Sequence, residues 1–270
     1  MADQPHVDPG DMVGLPHHAQ LIMFLVNWAL VCHIIPSMGA LPRAGIATER
    51  ERGRRLARIV ALLDEAYGRP RLTPRLPPLD ELIYTVLSQN TADVNTDRSF
   101  AALKARFATW SAVRDADVAE IEAAIALGGL ARTKAPRIKA ILTALSEPGA
   151  GPDLGRLDAM SDAEAQAFLV GLPGVGPKTA ACVLLFSLGR PLMPVDTHVH
   201  RLARRLELID AGVGAEAAHE VLTALAGPEA SDIYAAHVDL VRHGRRVCRA
   251  RRPACDRCPL VELCPSAFAA

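Results

Sequence analysis

Between residues 171 and 201 the chain reads GLPGVGPKTAACVLLFSLGRPLMPVDTHVHR, and the order of its glycines and prolines leaves few folds open. Gly174 and Gly176 precede Pro177, a lysine and a small-residue apolar run, which is the pattern of a tight turn opening a helix. Upstream, Ser161 and Glu164 have capping-box spacing ahead of Phe168, Leu169 and Val170, so residues 161–170 read as a second helix. The unit is helix, hairpin, helix. Glycine amides at the head of the later helix suit an anion, because unpaired N–H groups and the positive end of the dipole both face it.

Lys178 falls in the first turn of that helix, where an exposed cation is disfavoured by roughly 0.3–1 kcal/mol. Stability alone would not select it. The same field favours the uncharged amine that a nucleophile requires, although a surface lysine pairing with phosphate or solvent also accounts for the residue. Asp196 follows eighteen positions on, in Pro194-Val195-Asp196-Thr197-His198. One helix, stopped by Gly189 and Pro191, separates the two, so the chain can fold back and bring them together. Asp196 also reads as the N-cap of a helix carrying Val199, Leu202 and Leu206, and the two roles are compatible.

These residues carry a resemblance. LPGVGPKTA followed by VDTHVHR is similar to the helix-hairpin-helix and Gly/Pro-Asp segment of the endonuclease III family of DNA glycosylases. The resemblance implies that Lys178 attacks C1′ of a damaged nucleotide, that Asp196 assists, and that Gly174 and Gly176 hold a phosphate. Two further loops match. LSQNTADVN, with Gln89 and Asn90, resembles the segment whose amide enters the gap left by a flipped nucleotide; Asn90 stands where that family usually has glutamine. GLARTKA resembles the loop whose leucine, here Leu130, wedges into the opposite strand. Opening a duplex costs a few kcal/mol, so gap-filling residues are mechanistically required. Read without the resemblance, Asn90 is a turn former and Leu130 a helix-end packing residue.

Cys248, Cys255, Cys258 and Cys264 have the spacing C-x6-C-x2-C-x5-C. Four thiolates so close can enclose one ion or cluster. Zinc sites usually present two C-x2-4-C knuckles, and only Cys255 and Cys258 do so here, whereas iron–sulfur clusters accept looser spacing. The spacing resembles, without a gap, the [4Fe–4S] loop of endonuclease III and of MutY-type adenine glycosylases. Arginines 242, 245, 246, 249, 251, 252 and 257 crowd the same run although the formal net charge of the chain is zero. Such a cluster can neutralise phosphates, or form a solvated face; Arg245 is counted with the DNA-binding residues.

With 50% hydrophobic residues, 270 positions can bury a substantial core. Residues 49–67 read as a helix with an arginine-rich outer face, 69–78 as a proline-dense linker, and Asp80 as the cap of the next helix. Further helices are expected over 96–107, 118–127, 136–145 and 215–226, and a last one capped by Ser231; His198, His237 and His243 read as packed rather than metal-binding. No segment alternates with period two long enough for a strand, so the chain is all-α. Residues 1–46 form an extension whose apolar run, 21–36, is too short to span a membrane and lacks a signal-peptide n-region; translation starting at Met38 is one expectation for it.

The resemblance implies a six-helix barrel over 77–190 and an iron–sulfur domain from 47–76 with 191–270. It implies a monomer acting on damaged double-stranded DNA in the cytoplasm, without membrane association, that excises oxidised pyrimidines and cleaves the abasic site by β-elimination. Three readings compete: a MutY-type adenine glycosylase, which normally lacks the hairpin lysine; a mismatch glycosylase of the same fold; and a non-catalytic DNA-binding or redox-sensing protein.

Overall fold

The computed structural model describes residues 48–74 and 76–269; the amino-terminal extension lies outside them. Among the described residues every regular element is helical. The α-helices are α1 (Glu49–Tyr67), α2 (Pro78–Ser88), α3 (Asp93–Arg106), α4 (Trp110–Asp115), α5 (Val118–Ala124), α6 (Ala131–Ala144), α7 (Asp162–Val170), α8 (Pro177–Leu188), α9 (Thr197–Arg205), α10 (Ala215–Ala226) and α11 (Ala230–Arg246). Among them no helix is long and apolar enough to cross a membrane.

Two hydrophobic cores organise these helices. One is built by α2 to α8 and includes Leu82, Ile83, Leu103, Ile121, Ile138, Leu142, Leu169 and Leu184, all buried. The other joins Leu56, Ile59 and Leu63 of α1 to Val199, Leu202, Leu222, Ile233 and Leu240 of the later helices. Helix α8 serves both, since Val183 and Leu184 face the first core and Leu185 the second. Its buried run from Thr179 to Leu185 is apolar or small on every side, as a helix enclosed by neighbours must be. Lys178 is thereby fixed at the head of the helix that the two cores share.

The capping box at Ser161 is present, with Glu164 accepting from the Ser161 amide at 2.8 Å. Two expected caps are not formed. Helix α2 begins at Pro78 with Pro77 as N-cap, so Asp80 falls inside the first turn and instead accepts from Trp110 Nε1 at 2.7 Å. Proline at the first helical position lacks the N–H that a cap would satisfy. Ser231 likewise lies within α11, whose N-cap is Glu229. Boundaries moved elsewhere too: α6 starts at Ala131 with Pro136 inside it, α5 gives way to a 3-10 turn after Ala124, and α4 was not expected.

Where α1 meets α11, Asp64 and Asp239 bring two carboxyls together in a buried setting. Asp64 Oδ1 and Asp239 Oδ2 have no donor unless the pair shares a proton. Burial, and then the hydrogen bond with Asp64, pushes the Asp239 carboxyl up to about 7. The folded value lies above that of the unfolded chain, so this contribution to stability is complete below about pH 4 and is lost as pH rises through about 7. Asp239→Asn supplies the missing donor permanently. Thermal unfolding between pH 5 and 8 is expected to show a shallower decline for the variant than for the wild type; parallel curves would refute the shared proton.

Candidate active site

Lys178 is half-buried one residue into α8, and no side chain caps that helix at Gly176. The hairpin before it turns through Gly174, whose φ of +69° favours glycine. A Cβ at Gly174 would also lie 2.5 Å from Arg137 Nε, so the guanidinium of α6 occupies the space the glycine leaves. Gly174 is exposed and Gly176 half-buried, with the leading amides of α8 beside them.

Asp196 caps α9. Its Oδ1 accepts from the amides of His198 and Val199, both at 2.8 Å, so the cap uses a single carboxylate oxygen. The segment carrying it has no sheet to pair with, and three buried or half-buried side chains hold it in place. His237 Nδ1 lies 2.8 Å from the Pro194 carbonyl, His219 Nδ1 lies 2.9 Å from that of Met193, and Thr223 Oγ1 accepts from the Met193 amide at 2.9 Å. A carbonyl can only accept, so both imidazoles are protonated on Nδ1. Burial pushes His237 down to about 4, leaving it neutral at pH 7.

Lys178 and Asp196 act on the same neighbours. Both charges reach His237, and both reach the buried thiol of Cys182, which burial raises. The hairpin lysine, one turn before Cys182 on α8, and the capping aspartate at the head of α9 thus act on the same two buried groups, without forming an ion pair with each other among the described residues.

The other DNA-facing candidates lie on separate loops. Asn90 is exposed with φ +53°, just past the end of α2. Gln89 is half-buried and engaged, accepting from Arg137 Nη1 at 2.6 Å and donating to Thr179 Oγ1 at 3.4 Å. Leu130 is 53% exposed and also left-handed, with φ +54°, immediately before α6. Leu130 is thus the N-cap residue of α6, with its side chain exposed and its backbone in the left-handed region. Arg245 is paired with Asp93 at 2.6 Å, both exposed.

Cys248, Cys255, Cys258 and Cys264 line one cavity, and none is in a disulfide. Burial raises the Cys258 and Cys264 thiols, and each also feels Cys248 and Cys255. Four cysteine sulfurs around one cavity are a donor set for a cationic centre, which would favour their thiolate forms. Among the described residues no group of three or more His, Cys, Asp or Glu side chains closes around a single metal ion. The arginine-rich neighbourhood contains residues whose role the sequence did not disclose. Arg201 donates to the carbonyls of Gly244 and Cys248, Arg205 to those of Arg249 and Ala250 and to Cys248 Sγ at 3.2 Å, and Arg55 to Leu206 and Leu263. These guanidiniums hold the cysteine loop onto α9 and α1. Their spacing, one turn apart at 201 and 205, was the available signal.

The chain matches the HhH-GPD superfamily of base excision DNA repair proteins over residues 83–228, and the iron–sulfur binding domain of endonuclease III over residues 248–264. Endonuclease III of Synechocystis sp. is 33% identical over 193 residues, covering 71% of this chain and 83% of that one. Endonuclease III of Thermotoga maritima is 34% identical over 196 residues, covering 72% and 86%. A plant relative, from Arabidopsis thaliana, is 45% identical over 128 residues, which are 47% of this chain and 44% of that protein. The structure of a non-covalent endonuclease III–DNA complex superposes with a TM-score of 0.68 at 25% identity, covering 80% of this chain and 97% of that one. By sequence, by fold and by its cysteine loop, the chain belongs to the endonuclease III family within the HhH-GPD superfamily of base excision DNA repair proteins.

Proposed function

We propose that the chain is a bifunctional DNA glycosylase and abasic-site lyase that removes oxidised pyrimidines of the thymine glycol type from double-stranded DNA. The observation that supports this reading most is that Lys178 stands in the first turn of α8 and Asp196 at the N-cap of α9, with both charges acting on the buried Cys182 and His237. The uncharged Lys178 Nζ forms a bond to C1′ while the glycosidic C1′–N bond breaks, and the base departs with the electron pair and takes up a proton. Loss of a proton from nitrogen and opening of the sugar ring give an iminium. Removal of the C2′ proton then expels the 3′ oxygen with its phosphate, which cuts the strand. Asp196 Oδ2, the oxygen that the α9 cap does not use, is suited to stabilising positive charge at the sugar, a task favoured by a site of low dielectric.

DNA would lie between the part built on 77–190 and the part built on 47–76 and 191–270, each with its own core. The head of α8 and the hairpin glycines would hold a phosphate without reading sequence. Asn90 would enter the gap left by an extruded nucleotide, and Leu130 would wedge into the opposite strand. The four cysteines would hold a [4Fe–4S] cluster, which supplies a structural cross-link to the loop that Arg201 and Arg205 position.

Borohydride trapping on a duplex containing thymine glycol tests the reading. A covalent protein–DNA band on that substrate is expected. Trapping on an abasic duplex alone would keep the lyase and overturn the pyrimidine assignment; tight binding with no trapping on either substrate would favour the non-catalytic reading.

A further inference from the structure

The three loops placed against DNA all meet on helix α6. Lys134 of that helix is 2% exposed, yet its ammonium donates to the Leu87 carbonyl and to Thr91 Oγ1, each at 2.6 Å. Thr91 Oγ1 passes the contact on, donating to the Gly128 carbonyl at 2.6 Å. One turn later Arg137 donates to Gln89 and lies over Gly174 of the hairpin. Gly128 is itself fixed, because a Cβ there would lie 2.6 Å from Ser99 Oγ.

No carboxylate is among the hydrogen-bond partners of the buried Lys134 ammonium, which rests on a carbonyl and a hydroxyl alone. Burial accordingly lowers its pKa. A buried charge held this way costs stability that an apolar side chain of similar length would not. What the charge provides is a cross-link between two loops whose tips are both strained. Asn90 and Leu130 stand at φ +53° and +54° on either side of the chain of contacts from Leu87 through Lys134 and Thr91 to Gly128. Left-handed residues other than glycine persist only where their surroundings over-determine them.

We propose that Lys134, acting through Thr91, is a positioning residue that joins the 89–91 and 128–130 loops into one rigid unit, so that Asn90 and Leu130 enter the duplex together. The proposal rests on the reading that these loops open DNA. It assigns Lys134 no contact with the reacting atoms.

The test compares strand cleavage at an abasic site in duplex and in single-stranded DNA, since the single strand needs no opening. Thr91→Val, which removes one hydroxyl at constant shape, and Lys134→Met are each expected to lower duplex cleavage by about 10- to 100-fold through kcat, the scale of a misplacement near 1 Å. Single-strand cleavage should stay within about twofold. A parallel fall on both substrates, or no fall on duplex, would overturn the proposal. Thr91→Val carries the test alone if Lys134→Met does not fold. Should the wild type cleave neither substrate, the lyase reading fails by itself. The coupling is then read from fluorescence of 2-aminopurine placed opposite the lesion: wild type should unstack it on binding and Thr91→Val should not, and equal signals would refute the coupling.

Discussion

Lys178→Gln is expected to eliminate the borohydride-trapped adduct and to lower single-turnover excision and strand cleavage by on the order of 10⁴-fold or more, about 5.5 kcal/mol of barrier. Thermal stability should be unchanged or higher. The side chain stands in the first turn of α8, where the helix field opposes a cation, and glutamine is only one atom shorter. Losing the reaction while retaining the fold separates a nucleophile from a structural lysine. Asp196→Asn refines the result. Asparagine can still accept from the His198 and Val199 amides, so the α9 cap survives, while the carboxylate charge is lost. A fall of about 10²-fold in rate with little change in melting temperature is expected. Asp196→Ala adds the loss of the cap, roughly 1 kcal/mol. An adduct that persists in Lys178→Gln would move the nucleophile to another amine.

Cys258→Ser is expected to have the largest effect on stability. It removes one of the four proposed cluster ligands in a loop that contains only two short 3-10 turns, 255–257 and 261–263, and buries one large apolar side chain, Leu260, in the second core. Such a loop cannot order itself on apolar burial, so cluster binding and folding are coupled as they are in structural metal sites, which contribute on the order of 10 kcal/mol. Total domain stability is only about 5–15 kcal/mol. The variant should lose iron and the visible absorption of the cluster, and limited proteolysis should cut first between residues 247 and 264. The core built by α2 to α8 shares no residue with that loop and should stay protected. Iron content and a proteolytic pattern equal to wild type would remove Cys258 from the ligand set.

Much of this was legible in order along the chain. The capping box at Ser161, the positive-φ turn at Gly174, the αL stop at Gly189 and the Asp196 cap are local events, each set by a few consecutive residues, and all four formed as read. Asp80 and Ser231 were misread because a cap depends on where the helix starts, and proline at 78 and packing of α11 moved those starts. Pro136 sits inside α6 for a related reason: buried Lys134 and Ala135 ahead of it extend the helix back to Ala131.

The sequence by itself determined the helical class, the hairpin, the lysine and the aspartate at the heads of successive helices and the cysteine spacing, because each depends on backbone preference or ligand chemistry within a short span. Only the tertiary structure decided what surrounds them. It placed His219 and His237 behind the Asp196 segment, turned Arg201 and Arg205 from surface charges into donors for the cysteine loop, paired Asp64 with Asp239, and buried Lys134 beneath two strained loop tips. Those contacts join residues far apart in the chain. No local preference encodes them, because a buried donor takes whichever acceptor the packing of the helices brings within reach.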